Sequence, residues 1–189
     1  MPHDHSEPQP WNVLSSRYLC RKPWMTLRED RVRLPTGAVI DDYFVLEYPA
    51  WVNVIALTTD DGFVLVRQYR HGSQEVHYEL PAGVCEPNDL DPEATARREL
   101  LEETGYGGGD WTAFMTLSAN PGTHSNRSHT YLATGVIRIQ EQQQEDTEDL
   151  RVHLVGRSEI VEVVLGGGML QALHAAPLLK YLLIQSPSP

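Results

Sequence analysis

The chain has 189 residues, enough for one good-sized core or a core with a small appended module. Hydrophobic residues make up 41% and charged residues 22%, the balance of a soluble globular protein. Asp and Glu outnumber Lys and Arg 26 to 15, a formal net charge of −11, and so acidic a surface repels nucleic-acid phosphates and anionic membranes. Any phosphorylated substrate therefore needs a local positive centre. Cys20 and Cys85 are the only cysteines, which excludes a disulfide scaffold and a zinc finger. The N-terminus lacks the basic start and apolar stretch of a secretory signal, and no apolar run approaches a membrane span. The expectation is a cytoplasmic protein with neither a nucleic-acid nor a membrane partner.

Residues 1–12 and 185–189 read as polar, proline-bearing tails, with His3 and His5 solvated. Residues 13–48 read as a small antiparallel β unit. In it Asp30–Leu34 and Ala38–Glu47 flank Leu34-Pro35-Thr36-Gly37, with Pro at the second and Gly at the fourth position of a type I turn. A unit this small must pack on the rest of the chain or on a second copy. Residues 49–184 form the main domain. Trp51–Leu57 and Phe63–Tyr69 flank the hairpin signal Asp61-Gly62, and a short strand His77–Leu80 leads through Pro81-Ala82-Gly83 into an acidic loop.

A helix follows, with Asp91 at the N-cap, Pro92 at the first helical position, Glu93 in the first turn and Gly105 just past the end. Strands are expected near 128–137 and 151–155, separated by the acidic segment Gln140–Asp149. Ser158 is the expected N-cap of the C-terminal segment, and Met169–Leu183 a helix that Pro177 kinks or divides. Strands mixed with two helical regions predict an α/β fold, a sandwich around a mixed sheet with the small β unit attached.

The chemistry concentrates in Arg98-Glu99-Leu100-Leu101-Glu102-Glu103-Thr104-Gly105-Tyr106. Glu99, Glu102 and Glu103 share one helix face within a turn, where like charges repel. Arg97 and Arg98 are expected to point around the helix and leave part of that charge unneutralised. A hard divalent cation would neutralise it, and Mg²⁺ or Mn²⁺ suits an all-oxygen cluster and brings phosphates as further ligands. A bare run of helix acids is also the text of a solvated acidic face, so the surrounding pattern has to decide.

Gly83, five residues, Asp89, eight residues and then Arg98-Glu99-Leu100-x-Glu102-Glu103-x-Gly105-Tyr106 closely resembles the signature of the Nudix hydrolases. Two departures stand out: Asp89 replaces the usual glutamate, and the loop before Asp91 is one residue longer. In the family that early acid mainly pairs with the arginine matching Arg98, so loop geometry is at stake more than metal binding. The resemblance implies an α/β/α sandwich with Glu99 and Glu103 as principal metal ligands, Glu102 beside them, and the Ala82 backbone as a further ligand. It also implies hydrolysis of a nucleoside diphosphate linked to a group X, with divalent ions neutralising the pyrophosphate and activating water.

Three features resemble the ADP-ribose pyrophosphatase branch of that family. Tyr78-Glu79-Leu80-Pro81-Ala82-Gly83 stands before the signature with Arg67-Gln68-Tyr69-Arg70 upstream, and the arginine matching Arg70 contacts the diphosphate there. Pro121 lies 15 residues after Tyr106, as in ADP-ribose-preferring members, although Asn126 stands where they commonly carry an acid. The segment Glu145–Asp149 before Leu150-Arg151-Val152-His153 resembles the branch's mobile acidic loop, which implies Glu148 as general base, with Asp146 second.

The resemblance also implies an aromatic platform for the base in the N-terminal region, with Trp24 and Trp51 as candidates among Trp11, Trp24, Tyr43 and Trp51. His124 and His129 read as ordinary loop histidines. The expected activity is that of a homodimeric, Mg²⁺-dependent enzyme giving AMP and ribose 5-phosphate, with Arg70, Glu79 and Pro121 on the substrate and Glu102, Glu103 and Glu148 in catalysis. GDP-mannose or NADH are alternative substrates, and a non-catalytic ADP-ribose-binding regulator is the alternative outside the enzymes.

Overall fold

The computed structural model describes residues 7–22, 25–143 and 149–185. Strand residues alternate between faces, and β4 (Trp51–Thr58) and β5 (Phe63–Arg70) use both. On one face Val52, Val54, Ala56 and Val64 pack with Ala96 and Leu100 of α1 (Pro92–Thr104). On the other, Ile55, Leu57, Phe63 and Leu65 meet Ile160 and Val164 of α2 (Arg157–Leu165) and Leu178 and Tyr181 of α3 (Ala172–Gln185). Burial on both faces explains why these strands read as nearly continuous apolar runs. The result is the expected α/β/α sandwich.

The central sheet has eight strands. Its main path runs β11 (Leu150–Val155), β5, β4, β10 (Ser128–Arg138), β8 (Tyr106–Gly107). Off this path β6 (Glu75–Glu79) pairs with β5, β7 (Ala82–Val84) with β4, and β9 (Asp110–Leu117) with β10. The β4–β10 pair is parallel and the other pairs are antiparallel, so the sheet is mixed. Register places Asn53 opposite Ala82 on one side and Thr130 on the other.

A second compact unit comprises Met1–Tyr48 together with Asn120–Asn126. Its antiparallel sheet runs β1 (Asn12–Lys22), β2 (Met25–Arg33), β3 (Val39–Glu47). The turn at Leu34–Gly37 forms as read from sequence: the Gly37 N–H donates to the Leu34 carbonyl at 2.9 Å, with Gly37 at φ 89°. The segment 120–126 joins this sheet. The Leu46 N–H donates to the Thr123 carbonyl at 2.7 Å, and Tyr48 stacks on His124. Large apolar side chains, among them Val13, Tyr18, Leu19 and Phe44, stay exposed on the unit.

Helix α1 begins and ends where its punctuation predicts. Asp91 Oδ1 accepts from the Ala94 N–H at 2.8 Å, and the N–H of Gly105, at φ 75°, donates to the Leu101 carbonyl. A Cβ at Gly105 would run into the Gln140 carbonyl, so both backbone angle and close approach require glycine.

The C-terminal region departs from expectation. Gly156, not Ser158, is the N-cap of α2, and it makes no side-chain cap; Ser158 lies inside the helix because β11 hands the chain over in extended form at Gly156. Helix α3 starts at Ala172 rather than Met169 and runs as one element through Pro177. Proline lacks the N–H that would bond the carbonyl of Leu173. That carbonyl accepts instead from Asn53 Nδ2 at 3.0 Å, which replaces the hydrogen bond an interior proline loses. Strands β8 and β9 were not anticipated. Among the described residues no helix is long and apolar enough to cross a membrane.

Candidate active site

Strand β7 runs beside α1, and the two meet through acids. The Ala82 N–H donates to Glu103 Oε2 at 2.9 Å, and Glu103 is buried. The Glu99 carboxylate occupies the space where a Cβ of Gly83 would stand. Glu99 and Glu103, four residues apart, thus share the helix face turned to β7, while the Glu102 side chain remains 42% exposed.

Arg98 corrects an expectation. Rather than pointing around the helix, its Nη1 lies 3.0 Å from both Glu99 Oε1 and Glu102 Oε2, and Nη2 reaches Asp89 Oδ2 at 3.2 Å. The i,i+4 spacing and the fold-back of the acidic loop bring all three acids within one guanidinium's reach. Arg97 does turn away, donating to Glu93 at 2.8 Å with its guanidinium over the Trp111 ring.

Asp89 also accepts from the Glu86 N–H and the Thr95 hydroxyl, both at 2.8 Å. The Arg98 hydrogen bond, helped by the Glu86 N–H, lowers its pKa to about 2. The shorter acid at this position therefore still pairs with the arginine and pins the longer loop.

The donors gathered here (the carboxylates of Glu99, Glu102 and Glu103 and the backbone of Ala82) are all oxygen, the chemistry a hard divalent cation takes. Their close approach is permitted by the missing Cβ at Gly83. Among the described residues no three His, Cys, Asp or Glu side chains converge on one point, since Arg98 holds Glu99 and Glu102 toward itself. A cation taking these acids competes with that guanidinium.

Arg70, at the end of β5, and Glu79, at the end of β6, form a bidentate pair, with Nε and Nη2 donating to the two carboxylate oxygens at 2.8 and 2.6 Å. Burial, the largest single influence, would raise the Glu79 pKa, but the hydrogen bonds from Arg70 together with the charges of His174, Arg70 and His77 hold the carboxyl below its usual value. Next to it His174 of α3 is buried. Its Nδ1 accepts from the Leu80 N–H at 3.0 Å, and burial pushes its pKa down to about 4.

Arg70, Trp51, Ala82 and Gly83 all line one cavity of about 400 Å³, with Asn53, Ser128, Gln171, Leu173 and His174 on its other walls. The sequence reading brought forward Trp51, Arg70 and Ala82 but missed Asn53, Ser128, Gln171 and His174. One signal was present: Asn53 is the single polar residue in the apolar run Trp51–Leu57.

Pro121 lies in the other compact unit, within Asn120–Asn126. His129 sits on β10 rather than in a loop, 3.2 Å from the Thr116 hydroxyl. Trp24, Asp146 and Glu148 lie outside the described residues. Immediately before the last two, the Gln143 N–H donates to the Glu102 carbonyl at 2.8 Å.

Comparison with known proteins gives a consistent picture. A family model described as a NUDIX domain matches residues 48–166, and one described as a nucleoside diphosphate sugar hydrolase N-terminal domain matches residues 11–46. An ADP-ribose pyrophosphatase of Mycobacterium tuberculosis (strain ATCC 25618 / H37Rv) is 33% identical over 129 residues, covering 68% of this chain and 62% of that protein. An ADP-ribose pyrophosphatase of Bacillus subtilis (strain 168) is 31% identical over 134 residues, 71% of this chain and 68% of that protein. The match thus spans less than two thirds of the mycobacterial relative's own length. A crystal structure of an ADP compounds hydrolase superposes with a TM-score of 0.77 over 95% of this chain and 98% of that one, at 20% identity, a likeness of fold.

Proposed function

This chain belongs to the Nudix hydrolases, and we propose that it hydrolyses ADP-ribose to AMP and ribose 5-phosphate with the help of Mg²⁺ or Mn²⁺. The observation that carries the reading is the junction of α1 and β7. There Glu103 accepts from the Ala82 N–H while the Glu99 carboxylate lies over Gly83, both beside a cavity with Arg70 at its wall. The ADP-ribose pyrophosphatase relatives lend weight to the substrate.

In this reading Glu99, Glu102, Glu103 and the Ala82 backbone hold the cation, which when bound supplies the positive charge a diphosphate needs near an acidic protein. Arg70 brings its guanidinium charge to a phosphate, and Glu79, which accepts from Nε and Nη2, fixes that guanidinium from its buried side. Glu148 is the general base, with Asp146 second; the bond from Gln143 to Glu102 ties the start of their segment to the acid-bearing helix. Trp51 lines the cavity and is assigned a substrate contact; Trp24 and Pro121, of the N-terminal unit, are assigned substrate contacts from the family resemblance.

Incubation of the protein with ADP-ribose and Mg²⁺, followed by chromatography, should yield AMP. Absence of AMP from a preparation that binds the metal would rule this substrate out. We also propose a homodimer, supported by the exposed Val13, Tyr18, Leu19 and Phe44 on a three-stranded sheet too small to leave that much apolar surface in water. Light scattering behind gel filtration should give twice the chain mass.

A further inference from the structure

Glu75, His77 and Glu79 of β6 alternate onto one face of the strand. The β5–β6 register sets Glu75 directly opposite Arg70, His77 opposite Gln68 and Glu79 opposite Val66. Directly opposed side chains are the nearest partners in an antiparallel pair, with Cβ atoms about 4.5–5.5 Å apart. Arg70 nevertheless passes Glu75 by and pairs with Glu79, two rows further along. The acid it takes is buried, whereas the Glu75 side chain is 65% exposed. One guanidinium thus has two acids in reach. Glu79 keeps it at the wall of the cavity beside β7, and Glu75 would draw it out toward the β5–β6 turn.

His77 stands in the row between the two acids, 6% exposed. Its Nε2 lies 3.0 Å from Ser73 Oγ, and its Nδ1 lies 3.8 Å from Glu75 Oε2. The Ser73 hydroxyl has one proton and two acceptors beside it, Nε2 and the Arg70 carbonyl at 3.2 Å. Donation to Nε2 leaves the proton of a neutral ring on Nδ1, the nitrogen that faces Glu75. Donation to the carbonyl would set a bare Nδ1 lone pair against the carboxylate, so the first arrangement is favoured. Ser73 thereby aims the ring N–H at Glu75. The carbonyl is served meanwhile by the Gln74 N–H at 2.8 Å. Packing does not hold the guanidinium, because a second cavity of about 250 Å³ has Arg70, His77 and Glu79 in its walls. Arg70 also lines the larger cavity, so it stands between two open spaces and the acid it pairs with decides where it lies.

We infer that His77 is a positioning residue: its ring engages Glu75 and so leaves Arg70 to Glu79, which holds the guanidinium at the cavity for a phosphate. The inference rests on the activity proposed above for the identity of the phosphate ligand, and on the β5–β6 hairpin alone for the choice between acids. Without the ring N–H, Glu75 competes for the arginine directly opposite it, and the phosphate loses that charge.

The test uses the full chain and two readouts. In turnover of ADP-ribose with Mg²⁺, His77→Leu, which keeps bulk and removes the donor, should raise KM about tenfold with kcat little changed. Glu75→Gln alone should leave both constants unchanged. Added to His77→Leu, it should return KM to about the parent value, because the competing acid is gone. A purely structural role for His77 would not be rescued by removing an exposed carboxylate. Ser73→Ala, on an exposed turn, keeps the test available if His77→Leu does not fold: KM should rise about threefold and again recover with Glu75→Gln. The second readout needs no turnover. Crystal structures should show Arg70 on Glu75 in His77→Leu and back on Glu79 in the double variant. A parent-like KM in His77→Leu, a raised KM that Glu75→Gln does not recover, or Arg70 still bidentate on Glu79 in His77→Leu would overturn the inference. If the parent does not cleave ADP-ribose, the proposed activity falls, and the crystal structures still decide the role of His77.

Discussion

Asn53 Nδ2 donates to the carbonyl of Leu173, the one carbonyl in α3 whose helical partner would have been the N–H that Pro177 lacks. A strand residue and a helix proline, 124 positions apart in the chain, thus repair one another's defects. The proline frees an acceptor, and the asparagine finds a partner in an otherwise apolar strand. The pair also fixes the direction of the Asn53 amide and holds α3 where Leu173 and His174 wall the cavity.

The pairing predicts a double-mutant cycle. Asn53→Leu alone leaves the Leu173 carbonyl buried without a donor and should cost about 1–3 kcal/mol. In a Pro177→Ala background the new N–H can bond that carbonyl, so the same substitution should cost about 1 kcal/mol less. Urea unfolding of the four proteins measures the coupling, and strictly additive costs would contradict it.

His174 makes stability depend on pH in a defined window. Its folded pKa, about 4, is depressed from the ordinary 6.5 by burial, so the unfolded chain takes up the proton first. The stabilisation is complete above the unfolded value and is lost as pH falls from there toward the folded one. Between pH 7 and pH 5 the loss should be about 2 kcal/mol. His174→Gln should flatten that part of the profile in urea unfolding. Asp89 acts lower, its stabilisation fading only as pH drops below its ordinary 3.8 toward about 2.

Much of this architecture was legible in the text because its signals are local. Asp91, Pro92 and Gly105 punctuate α1 through their own backbone preferences, and the Nudix signature places Glu99, Glu102 and Glu103 on that helix. Signals that depend on distant partners were not legible. Pro177 reads as a helix breaker until Asn53 is known to serve the freed carbonyl. Arg98 reads as one more helix charge until the loop folds Asp89 back onto it. His174, in a sequence of plain helix formers, shows nothing of its bond to Leu80, made 94 residues away.

Gly83→Ala probes the approach of helix to strand. The added methyl would collide with the Glu99 carboxylate and must push it off β7. Gly83 lies at an edge where only that side chain gives way, so unfolding stability should change by about 1 kcal/mol or less while kcat falls at least tenfold. Equal kcat in the two proteins would show that Glu99 has no need of its place over the loop.

Glu103→Gln separates charge from shape at the centre of the proposed metal site. Glutamine keeps an oxygen to accept the Ala82 N–H, the bond that Glu103 Oε2 makes at 2.9 Å, so the loop and helix should stay joined. What disappears is one negative charge and a hard anionic ligand, which the cation needs more than the fold does. The expected outcome is a melting temperature close to the parent's, weaker Mg²⁺ binding by calorimetry, and a fall in kcat on ADP-ribose of about a hundredfold or more. Raising Mg²⁺ or substituting Mn²⁺ should recover part of the loss, because a weakened site fills again by mass action. Parent-like turnover in a folded Glu103→Gln protein would remove Glu103 from the ligand set and with it the reading of the α1–β7 junction as the catalytic centre.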